Sequence, residues 1–148
     1  MQKLWILQGH SGSGKSTVAE QIATQENAII CSTDNYFLNE NNEYIFDASK
    51  LEEFHQLNIK NAIDLMSEGH SVIIDNTNIY RWNCFPYVNY ARYNNIFVEF
   101  IRVEGNYKNN HNVPKKVVLR MKSQMETLSI ESVLNSGGIK PVFTGRKK

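Results

Sequence analysis

The stretch Gly9-His10-Ser11-Gly12-Ser13-Gly14-Lys15-Ser16-Thr17 carries the most specific chemistry in the chain. It satisfies G-x-x-x-x-G-K-[ST] at every fixed position. At that spacing the glycines let the backbone curl until several N–H groups point at one phosphate chain. Lys15 is placed to hold terminal phosphates, and the Ser16 hydroxyl to ligate Mg²⁺. Gly9, Ser11, Gly12, Ser13, Gly14 and Thr17 complete the expected nucleotide cradle. A phosphate-binding loop serves either hydrolysis or transfer. Transfer to a hydroxyl needs a carboxylate that orients and deprotonates the acceptor.

The chain offers four aspartates, at 34, 47, 64 and 75. Asp47 stands beside a helix cap and Asp64 on a helix face turned from the apolar stripe. Asp34 and Asp75 each end an apolar run, and in open parallel sheets ligands sit outside the carboxyl ends of the strands. Asp75 closes Val72-Ile73-Ile74 in the manner of a Walker-B residue, which suits Mg²⁺ or its water shell. Asp34 is then the candidate base, the alternative being an aspartate that caps a turn. Charge developing in transfer also needs cations above the nucleotide. From residue 105 to 125 there are five cations and no acid. Lys108 and Arg120 are the candidates there, although a basic run serves equally as a solvated helix face.

The elements that must position these groups read as alternating strands and helices. Apolar runs at 4–7, 28–31, 72–74 and 96–101 predict four strands. Helical spacing predicts helices over 15–25 and 81–93, the second with Pro86 inside. A third is expected from a capping box at Ser49-Lys50-Leu51-Glu52 to Gly69, and a fourth opens at Pro114. Residues 35–46 hold no period and read as an excursion or lid. Its aromatics, Tyr36 and Phe37 among them, either stack on a base or pin the excursion down. Beyond residue 130 the tail is broken by Gly137-Gly138. Pro141-Val142-Phe143 is expected as an edge strand or loose chain, and Arg146-Lys147-Lys148 as disordered. The result is an α/β phosphate-loop fold with an open parallel sheet of four to five strands flanked by helices, one domain over 1–130.

Composition agrees with a globular domain: 148 residues, 41% hydrophobic, 21% charged, net charge +1. Near neutrality means that any affinity for nucleic acid must come from local clustering. No apolar run approaches a membrane span, and the first strand begins too early for a signal peptide. The two cysteines, Cys31 and Cys84, make neither a disulfide framework nor a zinc spacing. A cytoplasmic protein is expected.

Four motifs occur in order: Gly9 to Thr17; Ser32-Thr33-Asp34-Asn35-Tyr36-Phe37; Ile74-Asp75-Asn76-Thr77-Asn78; and Lys108 followed by His111-Asn112-Val113-Pro114. Together they resemble the small phosphate-loop kinases that include the kinase domain of bacteriophage polynucleotide kinase and its stand-alone relatives. The resemblance implies an adenylate-kinase-like sheet with a lid after the fourth strand. It also implies ATP- and Mg²⁺-dependent phosphorylation of a 5′-hydroxyl on DNA or RNA. Asp34 matches the family's general base and Lys15 its phosphate-loop lysine. Asn76, Thr77 and Asn78, with Tyr36 and Phe37, fall on the acceptor side. The chain departs from the family twice. Tyr36-Phe37-Leu38 stands where phage enzymes carry an arginine for the substrate phosphate. Lys108 stands where the lid usually offers an arginine, keeping the charge but losing the bidentate fork. No D-x-D-G-T phosphatase motif is present. The competing readings are a kinase for a nucleoside or modified-base hydroxyl, and a nucleotide-binding regulatory module.

Overall fold

The computed structural model describes residues 1–105 and 113–140. Four strands, β1 (Lys3–Gln8), β2 (Ile29–Cys31), β3 (Val72–Ile74) and β4 (Phe97–Arg102), form one parallel sheet in the order β2-β3-β1-β4. β1 thus lies between β3 and β4, with Leu4 opposite both Val72 and Val98. The candidate fifth strand at 141–143 and the candidate lid lysine Lys108 both lie outside the described residues.

Parallel strands need covering on both faces, so their residues are apolar in sequence rather than alternating. Leu4, Ile6, Val72 and Ile74 point to one face and pack with Ala62, Met66, Val88 and Ala91 of α2 (Leu51–Ser67) and α3 (Arg81–Tyr93). Trp5, Leu7 and Ile73 point to the other, against Ala19, Val18 and Ile22 of α1 (Lys15–Glu26). Among the described residues no helix is long and apolar enough to cross a membrane.

Each helix that feeds a strand stops in the same way. The residue after the last turn is left-handed: Asn27 (φ 54°), Gly69 (φ 95°) and Asn95 (φ 57°). The N–H one residue further then donates back five residues, as in Ala28→Ala23, His70→Leu65 and Ile96→Ala91. This satisfies carbonyls the helix leaves open and turns the chain into the sheet. The start of α2 differs from expectation. Ser49 lies in a 3-10 turn over Ala48–Lys50, and Asp47 is the capping group, accepting from the Ser49 N–H at 3.0 Å and the Ser49 hydroxyl at 2.6 Å. After β4 and residues 106–112 come α4 (Lys115–Gln124), without a buried residue, and α5 (Ile130–Asn135). The sequence pattern predicts no element for the latter. It packs on α3, and its Val133 is fully buried in the larger core.

Candidate active site

The glycine loop leaves β1 at its carboxyl end and is braced from two sides. The Gly9 N–H donates to the Thr77 carbonyl at 3.1 Å, and the Gly105 N–H to the Ser13 carbonyl at 3.0 Å. A side chain at Gly9 would meet the Ser13 hydroxyl and stand 2.6 Å from the Val103 carbonyl, so the position admits only glycine. Gly12 (φ 84°) and Gly14 (φ 99°) supply the left-handed turns that curl the loop into α1. The Ser13 hydroxyl and His10 Nε2 are buried with no hydrogen-bond partner among the described residues. A buried donor left unpaired is costly, and an anion within the loop would satisfy it. The loop therefore fits a nucleotide phosphate chain at the N-terminus of a helix.

Lys15 sits half-buried, and its Nζ donates to the His10 carbonyl at 3.1 Å. Burial lowers its pKa, while the charges of Asp75 and Asp34 act to raise it. Both strand-end carboxylates thus lie within electrostatic reach of the loop lysine, as the sequence predicts for groups serving one site. Burial pushes Asp75 up to about 6. Lys15 opposes that rise, and Asp34 and Glu20 add to it. An all-oxygen pair of a serine hydroxyl and a carboxylate whose charge is disfavoured suits Mg²⁺. Ser16 and Asp75 would hold it.

The raised Asp75 value has a measurable consequence. The folded protein binds this proton more tightly than the unfolded chain, whose value is about 3.8. Stability therefore falls as pH rises from about 4 to 6, and the loss remains above it. In the metal-free protein Asp75→Asn removes this dependence. The variant should gain on the wild type across that interval, by at most about 3 kcal/mol. Urea unfolding at several pH values reads the difference, and a gap that shrinks as pH rises contradicts the placement of Asp75.

Asp34 lies on a 3-10 turn, Thr33–Phe37, directly after β2. Two neighbours that sequence reading missed hold this turn. The Tyr44 hydroxyl donates to Asp34 Oδ1 at 3.3 Å, and burial, with the Asp34 charge and this bond, pushes the phenol up to about 12. The Thr33 hydroxyl shares a 2.9 Å hydrogen bond with His55 Nδ1, and burial holds His55 below its ordinary value despite Glu52 and Asp34. His55 lies one helical turn before Ile59 on the inward stripe of α2, a periodic signal that could have marked it.

The acceptor-side expectations fare differently. Phe37 is buried, 4% exposed, with its ring 4.7 Å from Phe54 and 5.9 Å from Tyr44. It pins the excursion, the second of the two alternatives, and its buried ring offers no surface for a base, so Phe37 drops out of the acceptor-side residues. Tyr36 lies half-buried beside Phe54, with ring centres 5.8 Å apart. Asn76, Thr77 and Asn78 are engaged with the protein itself. Asn76 Oδ1 accepts from the Thr33 N–H at 2.9 Å, and Asn78, 2% exposed and left-handed at φ 49°, donates its amide to the Leu7 carbonyl at 2.6 Å. With the Thr77–Gly9 bond they tie the ends of β1, β2 and β3 together behind the loop. Arg120 is exposed on α4 and lines a small cavity with Thr77, Ile79, Tyr80 and Trp82.

Known proteins resemble the chain over most of its length. Residues 4–128 match the family described as "AAA domain". The chain is 36% identical over 129 residues to human NEDD4-binding protein 2, covering 80% of this chain but 7% of that protein. It is 30% identical over 134 residues to an uncharacterized Pasteurella multocida protein, covering 82% of this chain and 75% of the relative. Among solved structures it resembles a chain of the Pnkp1/Rnl/Hen1 complex, with a TM-score of 0.57 and 22% identity, over 80% of this chain and 38% of that one. A sugar kinase from Janibacter gives 0.57 and 15%, over 93% and 92%. The Mycobacterium tuberculosis APS kinase CysC in complex with AMPPNP and APS gives 0.52 and 19%, over 94% and 76%. At these identities the structural likeness shows the fold alone.

Proposed function

The chain belongs to the AAA domain family of phosphate-loop proteins, and on that premise we propose that it transfers the γ-phosphoryl group of ATP to a 5′-hydroxyl of DNA or RNA. The observation that carries the reading is Asp34. It is a carboxylate at the end of β2, held by Tyr44 and close enough to act on the charge of the loop lysine. A nucleotide switch has no use for a group that takes an acceptor proton. The polynucleotide acceptor draws support from the Thr33-Asp34 and Asp75-Asn76-Thr77-Asn78 motifs at their spacing.

In this reading the acceptor hydroxyl gives its proton to Asp34 as its oxygen bonds to the γ-phosphorus. The bond from that phosphorus to the β–γ bridging oxygen breaks, and ADP leaves. Positioning and electrostatics carry most of the rate in such a transfer, so the base needs placement more than high basicity. The Tyr44 hydroxyl fixes the Asp34 carboxylate, and Lys15 with the loop N–H groups meets the phosphate charge. Mg²⁺ at Ser16 and Asp75 would neutralise charge on the β- and γ-phosphate oxygens.

One observation favours a smaller acceptor. Tyr36-Phe37-Leu38 offers no arginine beside the base, and Phe37 is buried. Transfer to a 5′-hydroxyl oligonucleotide and to a nucleoside, each at about 50 and 200 mM salt, separates the two readings. The oligonucleotide should be the better substrate, with a shallow salt slope equivalent to roughly two or three phosphate contacts. Equal efficiency on both, without a salt effect, sinks the polynucleotide reading in favour of the small acceptor.

A further inference from the structure

The N-cap and first turn of α3 carry an aromatic pair with no part in the chemistry above. Tyr80 and Trp82 stack nearly parallel, 10° apart in plane, with ring centres at 6.1 Å. Trp82 is half-exposed and lines two adjoining depressions. One is about 200 Å³, between Thr77, Ile79 and Tyr80 on one side and Arg120 and Gln124 of α4 on the other. The second is about 500 Å³ and lies against α5, with Arg81, Ser132 and Asn135.

Cations surround the pair. Arg81 adjoins Trp82 and lines the larger depression, Arg120 lines the smaller, and Lys140 Nζ stands 5.7 Å from the centre of the Trp82 ring. Among the described residues, the one carboxylate lining either depression, Glu126, accepts the Arg81 N–H at 2.8 Å, at the positive end of α3. In a chain with a net charge of only +1, three cations around one aromatic pair form a local excess. Thr77, which lines the smaller depression, also holds Gly9 through its carbonyl. The surface therefore begins where the phosphate loop is braced.

We propose that Tyr80 and Trp82, with Arg81, Arg120 and Lys140, form a binding track for single-stranded nucleic acid, in which bases stack on Trp82 and the three cations meet the backbone. An aromatic platform tolerates any base because every base has a π face, and flanking cations give affinity without sequence preference. The track rests on the polynucleotide reading. It would take the nucleotides downstream of a 5′ end lying at Asp34, which supplies the stacking surface that buried Phe37 does not.

The chain holds two tryptophans, and Trp5 is only 4% exposed in β1, so quenching of tryptophan fluorescence reports Trp82. The probe is a short oligothymidylate already bearing a 5′-phosphate, which binds but offers no hydroxyl for transfer. The expected result is saturable quenching that weakens with salt. Lys140→Glu, an exposed charge reversal, should weaken binding in a salt-dependent way. By anisotropy of the labelled strand, Trp82→Ala should weaken it about 5-fold or more, and Trp82→Phe should retain most of it. The preference for an oligonucleotide over a mononucleotide acceptor should collapse in parallel. No quenching, or binding indifferent to both Trp82→Ala and Lys140→Glu, overturns the track. The two proposals fail separately. Strand binding at Trp82 with phosphorylation of small acceptors alone keeps the track and removes the polynucleotide acceptor. Phosphorylation of 5′-hydroxyl ends with no Trp82-dependent binding does the reverse.

Discussion

Replacing Lys15 by alanine should lower kcat/KM for ATP by about 10²–10³-fold or more, the scale of losing one preorganised charge-stabilising donor. The fold should survive. The ammonium is disfavoured by burial, and its described hydrogen bond reaches only the His10 carbonyl of its own loop. Removing it takes nothing from either core cluster. Asp75 loses the cation that opposes its rise, so its carboxyl should move further up, and the pH dependence of stability should extend above about 6. Circular dichroism and steady-state kinetics decide the matter. Full turnover in Lys15→Ala, or loss of secondary structure, contradicts the assignment.

The second large effect is expected at Asp34. Asp34→Asn keeps the size of the side chain but removes the proton acceptor, so transfer should fall by about 10²-fold or more. Nucleotide and Mg²⁺ binding should remain nearly intact, because neither is assigned to this residue. Asp75→Asn should instead raise the Mg²⁺ concentration needed for half-maximal rate. A Mg²⁺ titration of both variants separates the roles, and reversed phenotypes would exchange them.

What the sequence makes legible is set by local pattern. The loop follows from glycines at fixed offsets, and the four strands from short apolar runs that both faces of the sheet bury. Asp34 and Asp75 are placed by a rule of topology, that chain ends at the carboxyl edge meet ligands. What escaped is set by distant partners. Phe37 is buried because α2 brings Phe54 against it, and Asn78 serves the fold because β1 brings the Leu7 carbonyl to its amide. Tyr44 reaches Asp34 only once the chain folds back after Leu38, which pairs with Tyr44 in an antiparallel bridge. Asp47 outcompetes Ser49 as a cap because the turn over Ala48–Lys50 brings the Ser49 N–H and hydroxyl onto its carboxylate. α5 has six residues, too few for a period to declare itself, and its place follows from burying Val133 against α3.

The loop and Asp34 together are expected to carry a phosphoryl group from ATP to a 5′-hydroxyl. Incubation with γ-labelled ATP, Mg²⁺ and a 5′-hydroxyl oligonucleotide, followed by digestion to mononucleotides, reads this transfer. Label is expected in the 5′-terminal nucleotide alone, with the rate lost in Asp34→Asn. Label released only as inorganic phosphate, at a rate the substitution leaves unchanged, would contradict it.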